Sequence, residues 1–88
     1  MGEVNMSAVE NSEGRALRAV AEAHATWIKA NLSHELVERA VGMNKFSQDV
    51  ADELFLCQDP ENYIVKDKVD RDAIDAAILE LQELEAST

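Results

Sequence analysis

The chain has 88 residues, 18 of them acidic and 8 basic, and its formal net charge at pH 7 is -10. Residues 47–88 hold twelve acidic and three basic residues and carry a net charge of -9, whereas residues 1–46 carry -1. This composition predicts one small domain with an acidic surface, which disfavours nucleic-acid binding, and no apolar run approaches the roughly 20 residues that cross a bilayer.

The first predicted helix covers residues 15–31, where apolar side chains recur about every 3.6 residues. Its apolar stripe comprises Leu17, Val20, Ala21, His24, Ile28 and Asn31, with Trp27 at the border. Its flank carries small side chains that would let another helix approach closely, namely Ala16, Ala19, Ala23 and Ala30. The start has two solutions, an N-cap at Ser12 or a capping box from Ser7, and we expect residues 1–11 to be flexible or a short extra helical turn.

The second predicted helix covers residues 34–41, with Ser33 as its N-cap and Gly42 as a left-handed residue at its end. A third helix is predicted to follow Asn44 or Ser47, because apolar residues recur there on one side. The stripe of this third helix comprises Phe46, Val50, Leu54 and Cys57. The two helices and their turn have the gross form of a helix-turn-helix.

A DNA-reading role for this helix-turn-helix-like section is disfavoured by its charges. The would-be recognition helix carries Asp49, Asp52 and Glu53 and has no Lys or Arg to neutralise phosphates. The turn glycine, Gly42, also follows Glu38 at a position where a small residue is needed. The section is therefore interpreted as a structural element of a bundle.

The last predicted helix covers residues 70–85 and has Asp70 as its N-cap. Its apolar arc comprises Ala73, Ile74, Ala77, Ile78, Leu81 and Leu84. Before it, Asp59 and Pro60 are predicted to end the third helix, and residues 63–65 to form an extended connector that fills the core.

The predicted fold is an all-α bundle of about four helices in a single domain that covers residues 1–88. The predicted core comprises Leu17, Val20, Ile28, Leu36, Val50, Leu54, Ile74, Ile78 and Leu81. A core of this size is small, so a homodimer or a bound partner would add to its stability. A single cysteine and the lack of a secretory signal at the N-terminus predict a cytoplasmic protein.

The reactive side chains do not form a catalytic or metal-binding pattern. The chain has two histidines, and His24 on an apolar stripe is expected to be half-buried and bonded to a neighbour, whereas His34 is expected to be solvated. Cys57 is interpreted as a small hydrophobic residue. The segment from His34 to Glu38 lacks the second histidine of a zinc-protease helix, and a calcium loop from Asp70 would place Asp75 where glycine is required. We therefore predict no enzyme activity, metal or cofactor.

The function predicted from these observations is a small, non-catalytic regulatory or inhibitory module that binds a basic protein surface, such as that of a nucleic-acid-binding protein. Phe55 and Leu79 lie off the apolar stripes, as packed or solvent-facing residues or as anchors for a partner. The predicted partner-binding residues are Asp49, Asp52, Phe55, Asp72, Asp75, Leu79 and Glu83. The alternative is a structural, self-associating helical subunit whose charge serves only solubility, and a DNA-binding regulator is less favoured.

Overall fold

The computed structural model describes the backbone of residues 2–87 and the side chains of residues 14–87. Its helices are α1 (Gly2–Asn31), α2 (His34–Gly42), α3 (Gln48–Leu56), α4 (Pro60–Ile64) and α5 (Arg71–Ala86), and these residues form no β-strand. The predicted all-α fold is confirmed, with four helices of nine residues or more and the short α4. Within the described part of the chain, none of the helices combines the length and apolar character needed to cross a bilayer.

The helices surround one hydrophobic core to which all five contribute. α5 packs against α2 and α3, and α1 packs mainly against α4. The largest side chains with almost no exposed surface are Ile28, Leu54, Cys57, Ile74 and Leu81. The predicted arc of α5 is confirmed apart from Ala73, which is half-buried.

The predicted N-caps are present at three helices. The side chains of Ser33, Ser47 and Asp70 each accept a hydrogen bond from a backbone N–H in the first turn of α2, α3 and α5. For α3 this decides between the two predicted starts in favour of Ser47. The left-handed conformation predicted at Gly42 is wrong, because the residue with positive φ is Asn44, at 61°. Asparagine tolerates this conformation better than most residues, so the reversal occurs in the turn itself.

The buried stripe of α1 differs from the predicted one. Val20 was predicted to be core but is 41% exposed, whereas Ala25 is 2% exposed. The helix turns Ala21, Ala25 and Ile28 inwards, and the two alanines are small enough to be fully covered at a close helix contact. Leu17 and Val50, also predicted as core, are only partly buried against it.

The N-terminal part of α1 extends further than expected. The helix begins at Gly2, upstream of both predicted starts, and its backbone is continuous through residues 2–11. The side chains of Ser7 and Ser12, on which the predicted caps depended, lie outside the described residues. The assignment of residues 1–88 to a single domain stays a prediction.

The extended connector predicted at residues 63–65 is wrong for its first two residues, which belong to α4. Asp59 caps this helix and Pro60 occupies its first position, an arrangement that proline favours because its ring fixes a helical φ. Tyr63 is 3% exposed and fills the core, as expected of the connector. Arg71 donates hydrogen bonds to the carbonyl oxygens of Tyr63 and Ile64, which satisfies the C-terminal end of α4.

Candidate protein-binding surface

The solvent-facing side of α5 combines acidic residues with an exposed leucine. We call this side the outer face of α5; it consists of Asp72, Ala76, Leu79 and Glu83, all exposed. Leu79 is 60% exposed, more than any other large hydrophobic side chain that the structure describes. The prediction that Leu79 projects away from the apolar arc is confirmed, since about 100° per residue separates it from Ile78.

Asp75 lies at the edge of the outer face and is bonded into the fold. Its Oδ1 accepts hydrogen bonds from Nε2 of His24 and from the hydroxyl of Tyr63, both at 2.8 Å. Because a carboxylate oxygen only accepts, Nε2 of His24 carries the proton in this contact. The prediction of a half-buried His24 bonded to a neighbour is confirmed, and Asp75 joins α5 to α1 and α4.

Two ionisable groups near Asp75, Tyr63 and Cys57, have raised pKa values. Burial, followed by the hydrogen bond to Asp75 and its negative charge, raises the pKa of Tyr63 above its ordinary value. Burial, with smaller contributions from the charges of Glu53 and Asp75, raises the pKa of the Cys57 thiol to about 11. Cys57 is fully buried, which confirms its interpretation as a small hydrophobic residue.

On α3, Phe55 is packed against another helix, which is one of its two predicted alternatives, and its neighbour Leu56 is exposed. Phe55 is half-buried and its ring stacks on the imidazole of His34 at a centroid distance of 4.8 Å. Leu56 is 45% exposed and shares a side of α3 with the exposed residues Asp49 and Asp52. The sequence leaves the packing of Phe55 open, because the ring of His34 that covers it comes from another helix.

α1 and α5 run in the same direction, and a hydrogen bond between side chains joins them. His24 is bonded to Asp75, and further along both helices Asn31 and Glu85 line one surface pocket. Neither helix has the other as its main packing partner, because α1 packs on α4 while α5 packs on α2 and α3. The hydrogen bond between His24 and Asp75 therefore spans a groove between two parallel helices.

The side chains that border this groove follow from the helix geometry. On α1, Val20 and Trp27 turn to the side of His24 opposite the buried Ile28. On α5, Leu79 and Asp72 turn to the side of Asp75 opposite the buried Ile78. We call this feature the α1/α5 groove, bordered by Val20, His24, Trp27, Asp72, Asp75 and Leu79.

Trp27 and Leu79 lie at the same level of the α1/α5 groove. They follow His24 and Asp75 by three and four residues, or about one turn at a rise of about 1.5 Å per residue. Val20 and Asp72 precede the same pair by about one turn. The sequence places Trp27 only at the border of an apolar stripe, because the direction of α1 relative to α5 depends on contacts between residues far apart in the chain.

The two walls of the α1/α5 groove differ in charge. Where its side chains are described, the wall on α1 presents the uncharged residues Val20, Trp27 and the exposed Ala23. The wall on α5 carries Asp72 and, further along the outer face, Glu83. Arg71, the cation at the start of α5, is engaged by backbone carbonyls of α4. The groove therefore presents an apolar strip with negative charge along one side.

The described side chains include no group of three or more His, Cys, Asp or Glu residues placed to hold a metal ion. Comparisons with models of known protein families, with characterised proteins and with solved structures give no match for this chain.

Proposed function

We propose that the protein is a non-catalytic interaction module that binds a basic surface of another protein through the outer face of α5. The observation that carries this proposal is the 60% exposure of Leu79 between the exposed carboxylates of Asp72 and Glu83. Opposite charges accelerate and orient an encounter, while a buried apolar anchor supplies most of the affinity. On the outer face of α5, the carboxylates supply the charge and Leu79 supplies the apolar anchor.

The structure supports unequal roles for the other predicted partner-binding residues. Asp49 and Asp52 on α3 are exposed and contribute to a long-range attraction of cations. Asp75 is already engaged by two donors, and Phe55 is stacked on His34. We therefore assign the direct contact to Leu79 and its acidic neighbours on α5, and a steering role to the carboxylates of α3.

Affinity capture tests this proposal when it is done at low and high salt with matched variants. Immobilised wild-type protein in nuclease-treated lysate is expected to retain a basic protein at low salt and to release it at high salt, because salt screens exposed charges. Leu79→Ser should abolish retention, whereas Leu56→Ser, which alters an exposed leucine beside carboxylates on α3, should not. Retention that is insensitive to salt, or equal for the two variants, would contradict the proposal.

Self-association is the second candidate function, and the exposure of Val20 together with Leu79 favours it. Two copies, each with a net charge of -10, would repel one another through their acidic surfaces. Replacing Asp72 by Asn and Glu83 by Gln would therefore strengthen a homodimer but weaken binding to a basic partner. Sedimentation equilibrium of this double variant separates the two functions.

A further inference from the structure

We infer that the α1/α5 groove is a docking site for one amphipathic, cationic α-helix of the partner protein. This inference rests on the proposed function and names the element of the partner that is bound. It extends the contact from the outer face of α5 to α1, where the proposed function makes no claim. The apolar side of the bound helix enters the groove, and its basic side lies along α5.

The spacing of the apolar groups suits a helix as the occupant. Val20 and Trp27 are seven residues apart on α1, or about 10 Å along the helix axis. Two turns of a partner helix cover this distance, so that its residues at i, i+3 or i+4, and i+7 reach Val20, Trp27 and the facing Leu79. A helix is also the element whose backbone polar groups are satisfied internally when it lies on an apolar strip.

The rim of the groove on α1 allows a close approach. Ala16, Ala23 and Ala30 repeat every seven residues and are all exposed, so no large side chain stands above Val20 and Trp27 on that side. Small residues at a helix contact permit a short distance between helix axes. The half-buried Trp27 would be fully covered by such a contact, as is typical of residues that dominate binding energy.

Charge distinguishes a partner helix from a second copy of this chain. The α5 wall carries Asp72 and Glu83, with Asp75 at the floor, whereas Val20 and Trp27, the described residues of the α1 wall, are uncharged. A helix with lysines or arginines on the flank towards α5 would pair with these carboxylates. A second copy would instead bring another surface of net negative charge to the groove.

The direct test uses a synthetic peptide of leucine, lysine and alanine, about 18 residues or five turns long, with its leucines on one helical stripe. Trp27 is the only tryptophan of the chain, so its fluorescence reports on the groove without a label. Binding should shift the Trp27 emission to shorter wavelength. A peptide of the same composition, with the leucines distributed around the helix, should bind at least about tenfold more weakly because it lacks the apolar stripe.

Two matched pairs of variants locate the contact. Leu79→Ser should weaken binding of the striped peptide about tenfold, whereas Leu56→Ser should change it less than about twofold. Asp72→Asn with Glu83→Gln should weaken binding and its salt dependence more than Asp49→Asn with Asp52→Asn, which removes the same charge from α3. Circular dichroism of each variant verifies that the helices are retained.

The outcomes that overturn the inference differ from those that overturn the proposed function. Equal binding of both peptides, or equal effects of both charge pairs, would show attraction by overall charge, which removes the groove but keeps the acidic surface as a binding site. Absence of binding by either cationic peptide at low salt would overturn both. A concentration-dependent dimer whose assembly alone shifts Trp27 emission would make a second copy the occupant and overturn the inference.

Discussion

The two sides of α5 show how one 16-residue helix serves both the fold and the surface. Its inner side buries Ile74, Ala77, Ile78, Leu81 and Leu84 against the rest of the molecule. Its outer face exposes Leu79 among carboxylates, although leucine is as hydrophobic there as on the inner side. The position of a leucine around the helix, and not its hydrophobicity, therefore decides whether it stabilises the fold or is available to a partner.

The largest expected effect on stability comes from a substitution on the inner side of α5. Leu81 has no exposed surface, so Leu81→Ala leaves a cavity as well as removing apolar contacts, and should lower the free energy of unfolding by about 2–5 kcal/mol. Leu79→Ala makes the same chemical change on the outer face and should alter stability by less than about 0.5 kcal/mol. Urea unfolding measures both, and similar losses would show that the outer face is packed.

A smaller effect is expected at the boundary between the two sides. Asp75→Ala removes the acceptor of His24 and Tyr63 and should lower the free energy of unfolding by about 1–3 kcal/mol, because two partly buried donors lose their partner. Glu83→Ala removes the same charge from the exposed part of α5 and should change it by less than about 0.5 kcal/mol. Equal stability of the two variants would mean that the bonds of Asp75 contribute nothing.

The pH dependence of stability tests two buried groups near Asp75, Tyr63 and Cys57. The pKa of Tyr63 is raised in the folded protein, so its phenol stabilises the fold while protonated, and this contribution is lost as pH rises above the ordinary tyrosine pKa of about 10. Cys57, with its pKa raised to about 11, loses its contribution in the same direction from the ordinary value of 9.0 upwards.

Tyr63→Phe separates these two contributions. It should lower the free energy of unfolding at pH 8 by about 0.5–1.5 kcal/mol through the lost hydrogen bond to Asp75. Above pH 10 its stability should fall less steeply than that of the wild type, since Cys57 still contributes to the pH dependence and the phenol does not. Urea unfolding between pH 8 and 11 measures both slopes, and parallel curves would show that the phenol ionises normally in the folded state.

Features that depend on neighbours in sequence could be predicted, and those that depend on another helix could not. Ser33 and Asp70 were identified as caps because a capping side chain bonds a backbone N–H within the next few residues. Val20 was placed in the core and Ala25 was overlooked, because hydrophobicity ranks valine higher, whereas the packing of other helices decides which side of α1 is buried. The dipeptide at 59–60 is compatible with both a turn and a helix start, and the helix that forms has its C-terminal carbonyl oxygens bonded by Arg71, which is distant in sequence.

The same distinction, between features fixed within one helix and features fixed by another helix, applies to the candidate site. Leu79 was found because its position relative to the apolar arc is fixed within α5 itself. Whether Phe55 is packed or exposed depended on the ring of His34, which comes from α2. The role of Trp27 depended on the relative direction of α1 and α5, which follows from two long-range placements, His24 against Asp75 and Asn31 with Glu85 at one surface pocket.

The smallest expected effect on stability separates folding from binding on the outer face. Ala76→Lys places a cation four residues after Asp72 and should stabilise the helix by about 0.2–0.5 kcal/mol, the usual contribution of such a pair. The same cation should weaken binding of the striped lysine-containing peptide several-fold, because it offsets the negative charge of the α5 wall. Ala76→Gln is the neutral control of similar length. If urea unfolding and Trp27 fluorescence give the same values for both variants, the carboxylates of the outer face attract neither the new side chain nor the peptide, and the distinction between the two sides of α5 is one of burial alone.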